Sequence, residues 1–148
     1  CHALGNELGL TLLRSPILPD KTADEGEQEL VYALLPHPGE GLAGGVLAEA
    51  EDLNRPLFHR PTRAAEGAYS PLGMGGHPTA LGALKPAEDG SGLILRVYEP
   101  AGGRGPIEVR CPEGWRVAGE VDLLEQPASG AGGPILPFQI RSFRLARL

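Results

Sequence analysis

The chain has 148 residues, enough for one average domain or two small lobes. Apolar residues make up 41% and aromatics only 5%, so any core is aliphatic. A formal charge of −6 with interleaved signs excludes a basic face for nucleic acid and a polybasic segment for an anionic membrane.

No apolar run approaches the roughly 20 residues that span a bilayer. The chain opens on Cys1-His2-Ala3-Leu4 rather than on Met and enters a strand-like pattern at once, so a piece of a longer polypeptide is expected. Leu8, Leu10 and Leu12 alternate with Gly9 and Thr11, which predicts a half-buried strand over Leu4 to Leu13. Arg14 follows at its end, and Pro16 and Pro19 stop further pairing. After a polar loop, Glu25 to Leu35 reads as a second strand, apolar on both parities towards its end and therefore covered on both faces.

The spacing of Val46, Leu47, Ala50, Leu53 and Leu57 predicts one short helix over Leu42 to Leu57, weakened at its start by Gly44-Gly45 and ended by Pro56. Residues 1–63 form a first lobe on this reading. The stretch Pro61 to Thr79 has no period and is crowded with Gly and Pro, so 64–79 is the expected connection. A second lobe, 80–148, is the cleaner one. Leu93, Leu95 and Val97 alternate with Ile94, Arg96 and Tyr98, GGRGP makes a hairpin-like turn, and Ile107, Val109 and Cys111 resume the alternation. Trp115 to Leu124 is a further strand pair or one bent strand, and SGAGGP is a loop. In LPFQIRSFRLARL, Phe138 and Ile140 share one parity and Phe143 and Leu145 the other, which predicts a β-bulge at Arg141-Ser142. Short strands with frequent turns predict an antiparallel β-sandwich.

Candidate chemistry is sparse. His2, His37, His59 and His77 are scattered and read as loop or surface residues, and none has metal-ligand spacing. Ser15, Ser70, Ser91, Ser129 and Ser142 lie in turns or at the expected bulge, without a G-x-S-x-G elbow. Asp20, Asp24, Glu25, Asp89 and Asp122 could each be offered to a two-carboxylate glycosidase, yet most sit in turn contexts such as AEDGSG. Cys1 and Cys111, at opposite ends, form neither a zinc motif nor an expected disulfide, which fits a reducing cytosol. Trp115 reads as a core residue in a chain so poor in aromatics. Arg14 stands apart: it is either a rim ion pair to Asp20 or Asp24, or a donor fork placed on a sugar or a neighbouring carboxylate.

GNELGLTLLRSPILPD (5–20), EGEQELVYALLPH (25–37) and a helix ending in LNRPL (53–57) together resemble the C-terminal region of family 38 α-mannosidases, in their bacterial-type branch. AEDGSGLILRVYEPAGGRG (87–105), VDLLEQP (121–127) and LPFQIRSFRL (136–145) resemble the same family's last β-sandwich. Gly9 and the glycine-rich GLAGGVLAEAE depart from the pattern.

The resemblance implies the end of a larger supersandwich, at 1–63, joined to a small terminal sandwich. It also implies a cytoplasmic parent that hydrolyses terminal α-mannose by a retaining, zinc-dependent mechanism. The zinc ligands, nucleophile and acid/base would lie in N-terminal catalytic and helical domains that are this fragment's expected partners. The fragment itself would carry no catalytic residue, metal or cofactor, and only Arg14 would approach the mannoside or oligosaccharide substrate. Apolar surface around Leu4 to Leu13 and Val31 to Leu35 would then be exposed and drive self-association. A reading from another class is a stand-alone carbohydrate-binding or protein-interaction module, which needs an exposed aromatic platform.

Overall fold

A computed structural model describes residues 1–40, 42, 44–55, 57–58, 61, 72–130 and 132–148. Two compact units emerge, Cys1–Pro38 and Gly39–Leu148. Among the described residues the regular structure is antiparallel β-sheet with one short helix, in line with the all-β expectation.

In the first unit β1 (His2–Leu4) and β2 (Glu7–Gly9) form a hairpin in which Leu4 faces Glu7 and His2 faces Gly9. The expected single strand over Leu4 to Leu13 is therefore corrected. Gly5, at φ 60, turns the chain back after three residues. Beyond Gly9 no strand among the described residues pairs with the leucines. The expected second strand, Glu25 to Leu35, is likewise not a strand: its apolar residues have no ladder partner, and Val31 and Leu34 are exposed rather than covered on both faces. Alternation supplies a face for burial, but without a neighbouring edge the backbone groups have nothing to bond.

The second unit begins with α1 (Val46–Asn54), shorter than the expected 42–57. Gly45 takes a left-handed φ of 78 at the N-cap, and Arg55, at φ −131 and ψ 66, ends the helix. Then follow β3 (Gly73–Gly76), β4 (Ala80–Pro86), β5 (Leu93–Tyr98), β6 (Ile107–Arg110), β7 (Trp115–Val121) and β8 (Ile140–Arg147). Half of the expected connection, 64–71, lies outside the described residues, but Gly73–Gly76 within it is a strand.

Strands β4, β5, β8 and β7, in that order, make a four-stranded sheet, and β3 pairs with β6 in a second. The core lies between them. Leu95 and Val97 of β5 meet Phe143 and Leu145 of β8, and Ile107 and Val109 of β6 pack on that cluster with Leu72, Leu93, Cys111 and Trp115. The opposite face of the larger sheet buries Ile94 with Ala87 and Val121. The predicted alternation of β5 is thus realised, with Leu93, Leu95 and Val97 inward.

Three local readings are corrected. GGRGP does not close a hairpin, because β5 pairs with β4 and β8 while β6 pairs with β3, so the chain crosses between sheets there. Arg141-Ser142 carries no bulge. The β5–β8 register runs unbroken from Tyr98↔Ile140 to Leu93↔Leu145, and Phe138, at φ 57, lies in the turn before the strand. The register shifts fall instead between Leu81 and Ala83 in β4 and between Val117 and Gly119 in β7.

Candidate functional site

Arg14 follows an unpaired stretch rather than a strand, since β2 ends at Gly9. It is exposed, and it makes no ion pair among the described residues. Its two expected partners are engaged elsewhere. Asp24 Oδ2 accepts the Ser15 N–H at 2.6 Å, and Asp20 Oδ1 accepts both the N–H and the hydroxyl of Thr22 at 2.9 Å. The Thr22 donors hold the Asp20 carboxyl below its ordinary value. The rim ion pair is therefore not formed, and the guanidinium stands open to solvent.

The histidines do not converge. His2 is exposed in β1, His37 sits half-buried near Pro38, and His59 lies outside the described residues. His77 was expected in a loop or on the surface. It lies just after β3 and is half-buried, with Nε2 3.1 Å from Glu99 Oε1. Ser70 also lies outside the described residues, and Ser129 is in a turn with Gly130, in line with the turn expected there. Ser142, read as a bulge residue, is buried in β8, where its hydroxyl accepts the Arg96 Nε–H at 3.1 Å.

Glu99 is the residue that sequence reasoning missed. It is 1% exposed, and its oxygens accept the N–H groups of Ala101 at 3.0 Å, Gly102 at 2.7 Å and Phe138 at 3.1 Å besides the His77 ring. Burial pushes this carboxyl up, but the donors of Phe138, His77, Gly103 and Ala101 outweigh it and hold the value at about 2. An ionised carboxylate only accepts, so Nε2 is the protonated nitrogen of His77. No short motif signals this arrangement, because Phe138 and His77 lie 39 and 22 residues away in sequence.

Three further carboxylates, those of Asp122, Asp89 and Glu125, hold turns. Asp122 Oδ1 accepts the Leu124 and Gln126 N–H groups, and Asp89 Oδ1 accepts the N–H and hydroxyl of Ser91, the turn roles their contexts suggest. The Ser91 bonds, with Arg144, bring the Asp89 carboxyl down to about 2 against the opposing effect of burial. Glu125, buried at φ 64, takes Lys85 Nζ at 2.7 Å and the Glu88 N–H at 2.8 Å, which lowers its carboxyl and raises the lysine. Arg144 joins Asp89 to the Glu125 carbonyl and fastens the 122–127 turn over the Ala87–Ile94–Val121 cluster. Arg141 clasps Glu120 through Nε and Nη2, donates to the Gly133 carbonyl at 2.8 Å and stacks 5.4 Å over Phe143. Burial lowers its guanidinium value.

Asp89, Glu120, Glu125 and Arg144 line an open groove of about 370 Å³, yet each carboxylate in it already has a cation or backbone partner. No uncommitted acid–base pair arises there. Among the described residues no three His, Cys, Asp or Glu side chains come together to hold a metal ion. Both cysteines are free, and burial raises the Cys111 thiol. No helix among the described residues is long and apolar enough to cross a membrane.

Residues 79–143 match the family model described as the glycosyl hydrolases family 38 C-terminal beta sandwich domain. The chain is 37% identical over 127 residues to alpha-mannosidase 2C1 of Mus musculus, covering 82% of the chain and 12% of that protein. Against alpha-mannosidase 2C1 of Homo sapiens it is 36% identical over 128 residues, 83% of the chain and 12% of that protein. Alpha-mannosidase G of Dictyostelium discoideum is 32% identical over 105 residues, 68% of the chain and 10% of that protein. The chain thus spans about an eighth of the length of these relatives. No solved structure matches it. The matches support the C-terminal region of family 38.

Proposed function

We propose that this chain is the non-catalytic C-terminal β-sandwich portion of an α-mannosidase of the bacterial-type branch of family 38, acting in the cytoplasm. The parent hydrolyses terminal α-linked mannose by a retaining mechanism. Its zinc, nucleophile and acid/base sit in the remaining domains, and no step of the chemistry runs through the residues described above. The observation that carries this reading is the match of 79–143 to the family's terminal sandwich, a span that holds β4, β5, β6, β7 and the start of β8.

The role is architectural. Glu99, Arg141 and Arg144 spend their charges on fixing loops, which suits a support rather than a reaction centre. The packing surface for the catalytic and helical domains is carried by the first unit. Leu8 at 79%, Val31 at 73% and Leu34 at 81% exposure support that assignment, as does the unpaired Arg14, which would supply a donor fork to substrate oxygens or to a carboxylate at the sugar site.

Reassembly tests the reading. The catalytic and helical portion of the parent, expressed without this segment, should lose solubility or activity on an aryl α-mannoside and regain it when the 148-residue chain is co-expressed. Full activity of the shortened enzyme, or turnover by the 148-residue chain alone, would overturn it.

A further inference from the structure

The smaller sheet is two strands wide and the larger is four, so one cannot cover the other. Residues 77–79 are all that join β3 to β4, and residues 111–114 all that join β6 to β7. Links this short, at no more than about 3.6 Å per residue, set β3 above the β4 side of the larger sheet and β6 above the β7 side. On the β4 side the overhang is bare. Leu81 pairs with Val97 and Leu84 with Leu95, so both share the inward face of the sheet, yet they are 42% and 43% exposed. Met74, opposite Val109, turns inward from the facing sheet and is 40% exposed.

The edge of β3 above this overhang is unpaired. The His77 N–H donates to the Pro106 carbonyl, which fixes the alternation of the ladder. Gly73 and Gly75 therefore bond to β6, whereas Met74 and Gly76 direct their N–H and C=O groups away from it. Among the described residues nothing bonds to those outward groups. The far side of β6 differs, because Ile135 bridges to Gly105 there. Nor does β3 carry the usual guards of an open edge: Gly73–Gly76 has no charge, no proline and no break in register.

We propose that the slot formed by the β3 edge with Met74, Leu81 and Leu84 receives one extended strand, apolar at alternate positions, from the part of the parent polypeptide outside these 148 residues. The proposal rests on the mannosidase reading for the source of that strand. A row of free N–H and C=O groups calls for a polypeptide backbone, and an uncharged apolar floor calls for apolar side chains on one of its faces. A second copy of this sandwich does not fit. Were its β3 to pair here, its own β4 would fall where the first β4 already extends, about one strand spacing of 4.8 Å away. Two strands set over four leave the width of a single strand on this side. The chain covers about an eighth of the length of its relatives, so most of such a protein is left to supply the donor. A tethered strand also binds at high effective concentration.

Hydrogen exchange read at single residues tests this in the 148-residue chain and in the full-length parent. The Gly75 amide faces β6 and is the internal reference, protected in both. The Met74 and Gly76 amides should exchange freely in the isolated chain and about a hundredfold more slowly in the parent. Leu84→Lys places a charge on the exposed floor. It should keep the melting temperature of the isolated chain within about 3 °C and return the Gly76 amide of the parent to the isolated-chain rate. Met74→Pro, which removes an unbonded N–H from an edge, should act in the same way. Equal exchange in chain and parent would overturn the proposal. So would protection that grows with the concentration of the isolated chain, since the occupant would then be a second copy, or protection in the parent that both variants leave untouched. Reassembly that restores activity while Gly76 still exchanges freely would sink this inference alone.

Discussion

The Glu99 carboxylate accepts the Phe138 N–H at 3.1 Å, joining the end of β5 to the turn that launches β8. Phe138 has a left-handed φ of 57, unusual for a bulky side chain, and its ring is 71% exposed. Hydrogen bonds, this one with those of Leu136 and Gln139, and not burial of the ring, hold this turn in place.

Glu99→Gln should therefore destabilise the second unit. An amide nitrogen would confront N–H donors that now meet a carboxylate oxygen, and the melting temperature should fall by roughly 5–10 °C at neutral pH. The wild type has a signature of its own. Its carboxyl lies at about 2 against an ordinary 4.5, so the folded state binds fewer protons in between. The stabilisation is complete above 4.5 and disappears as pH falls towards 2. Thermal melts from pH 6 to pH 2 should show that loss in the wild type and a flatter profile in the variant.

Arg141→Met should cost roughly 3 kcal/mol, because it leaves Glu120 charged and largely shielded without its bidentate partner. Arg141→Met combined with Glu120→Leu should recover much of that, since no orphan charge remains. Urea denaturation midpoints of the single and double variants check the order, and a double variant as unstable as the single would refute it.

Leu95→Ala removes a fully buried side chain at the centre of the sandwich and should cost about 2–5 kcal/mol. Leu34→Ala, on an 81% exposed residue of the first unit, should change stability by less than about 0.5 kcal/mol. Denaturant titration of both variants measures the contrast directly.

Arg14→Ala in the full-length parent should leave the fold intact and lower kcat/KM on an aryl α-mannoside by about tenfold or more, if its fork reaches the sugar site. Unchanged kinetics with an unchanged melting temperature would make Arg14 an ordinary solvated cation.

Much of the second unit was legible in its residues. The alternation of Leu93, Leu95 and Val97 gave the inward face of β5, and the glycine–proline punctuation gave an all-β fold. Periodicity misled where it ran without a partner. Leu4 to Leu13 and Glu25 to Leu35 read as strands, but the first turns back at Gly5 and is paired only as far as Gly9, and the second has no ladder partner among the described residues. The slip between Ile140 and Phe143 suggested a bulge because Phe138 was taken as part of the strand; its positive φ places it before the strand. Glu99 was invisible for a different reason. A carboxylate that gathers donors from residues 77, 101, 102 and 138 is created by topology, and topology is not written in any short window.

The two register shifts fall on β4 and β7, the outermost strands of the four-stranded sheet, while the inner β5–β8 pair is unbroken. At β4 the Arg55 guanidinium also donates to the carbonyls of Leu81 and Gly82. At β7 the chain folds back, with a Val121–Pro127 bridge and the Ala128 N–H on the Glu120 carbonyl. Both flanks are thus kinked and partly occupied, so neither offers a straight row of free amides and carbonyls to an incoming chain. Edge-to-edge stacking of this four-stranded sheet is therefore disfavoured at each of its flanks.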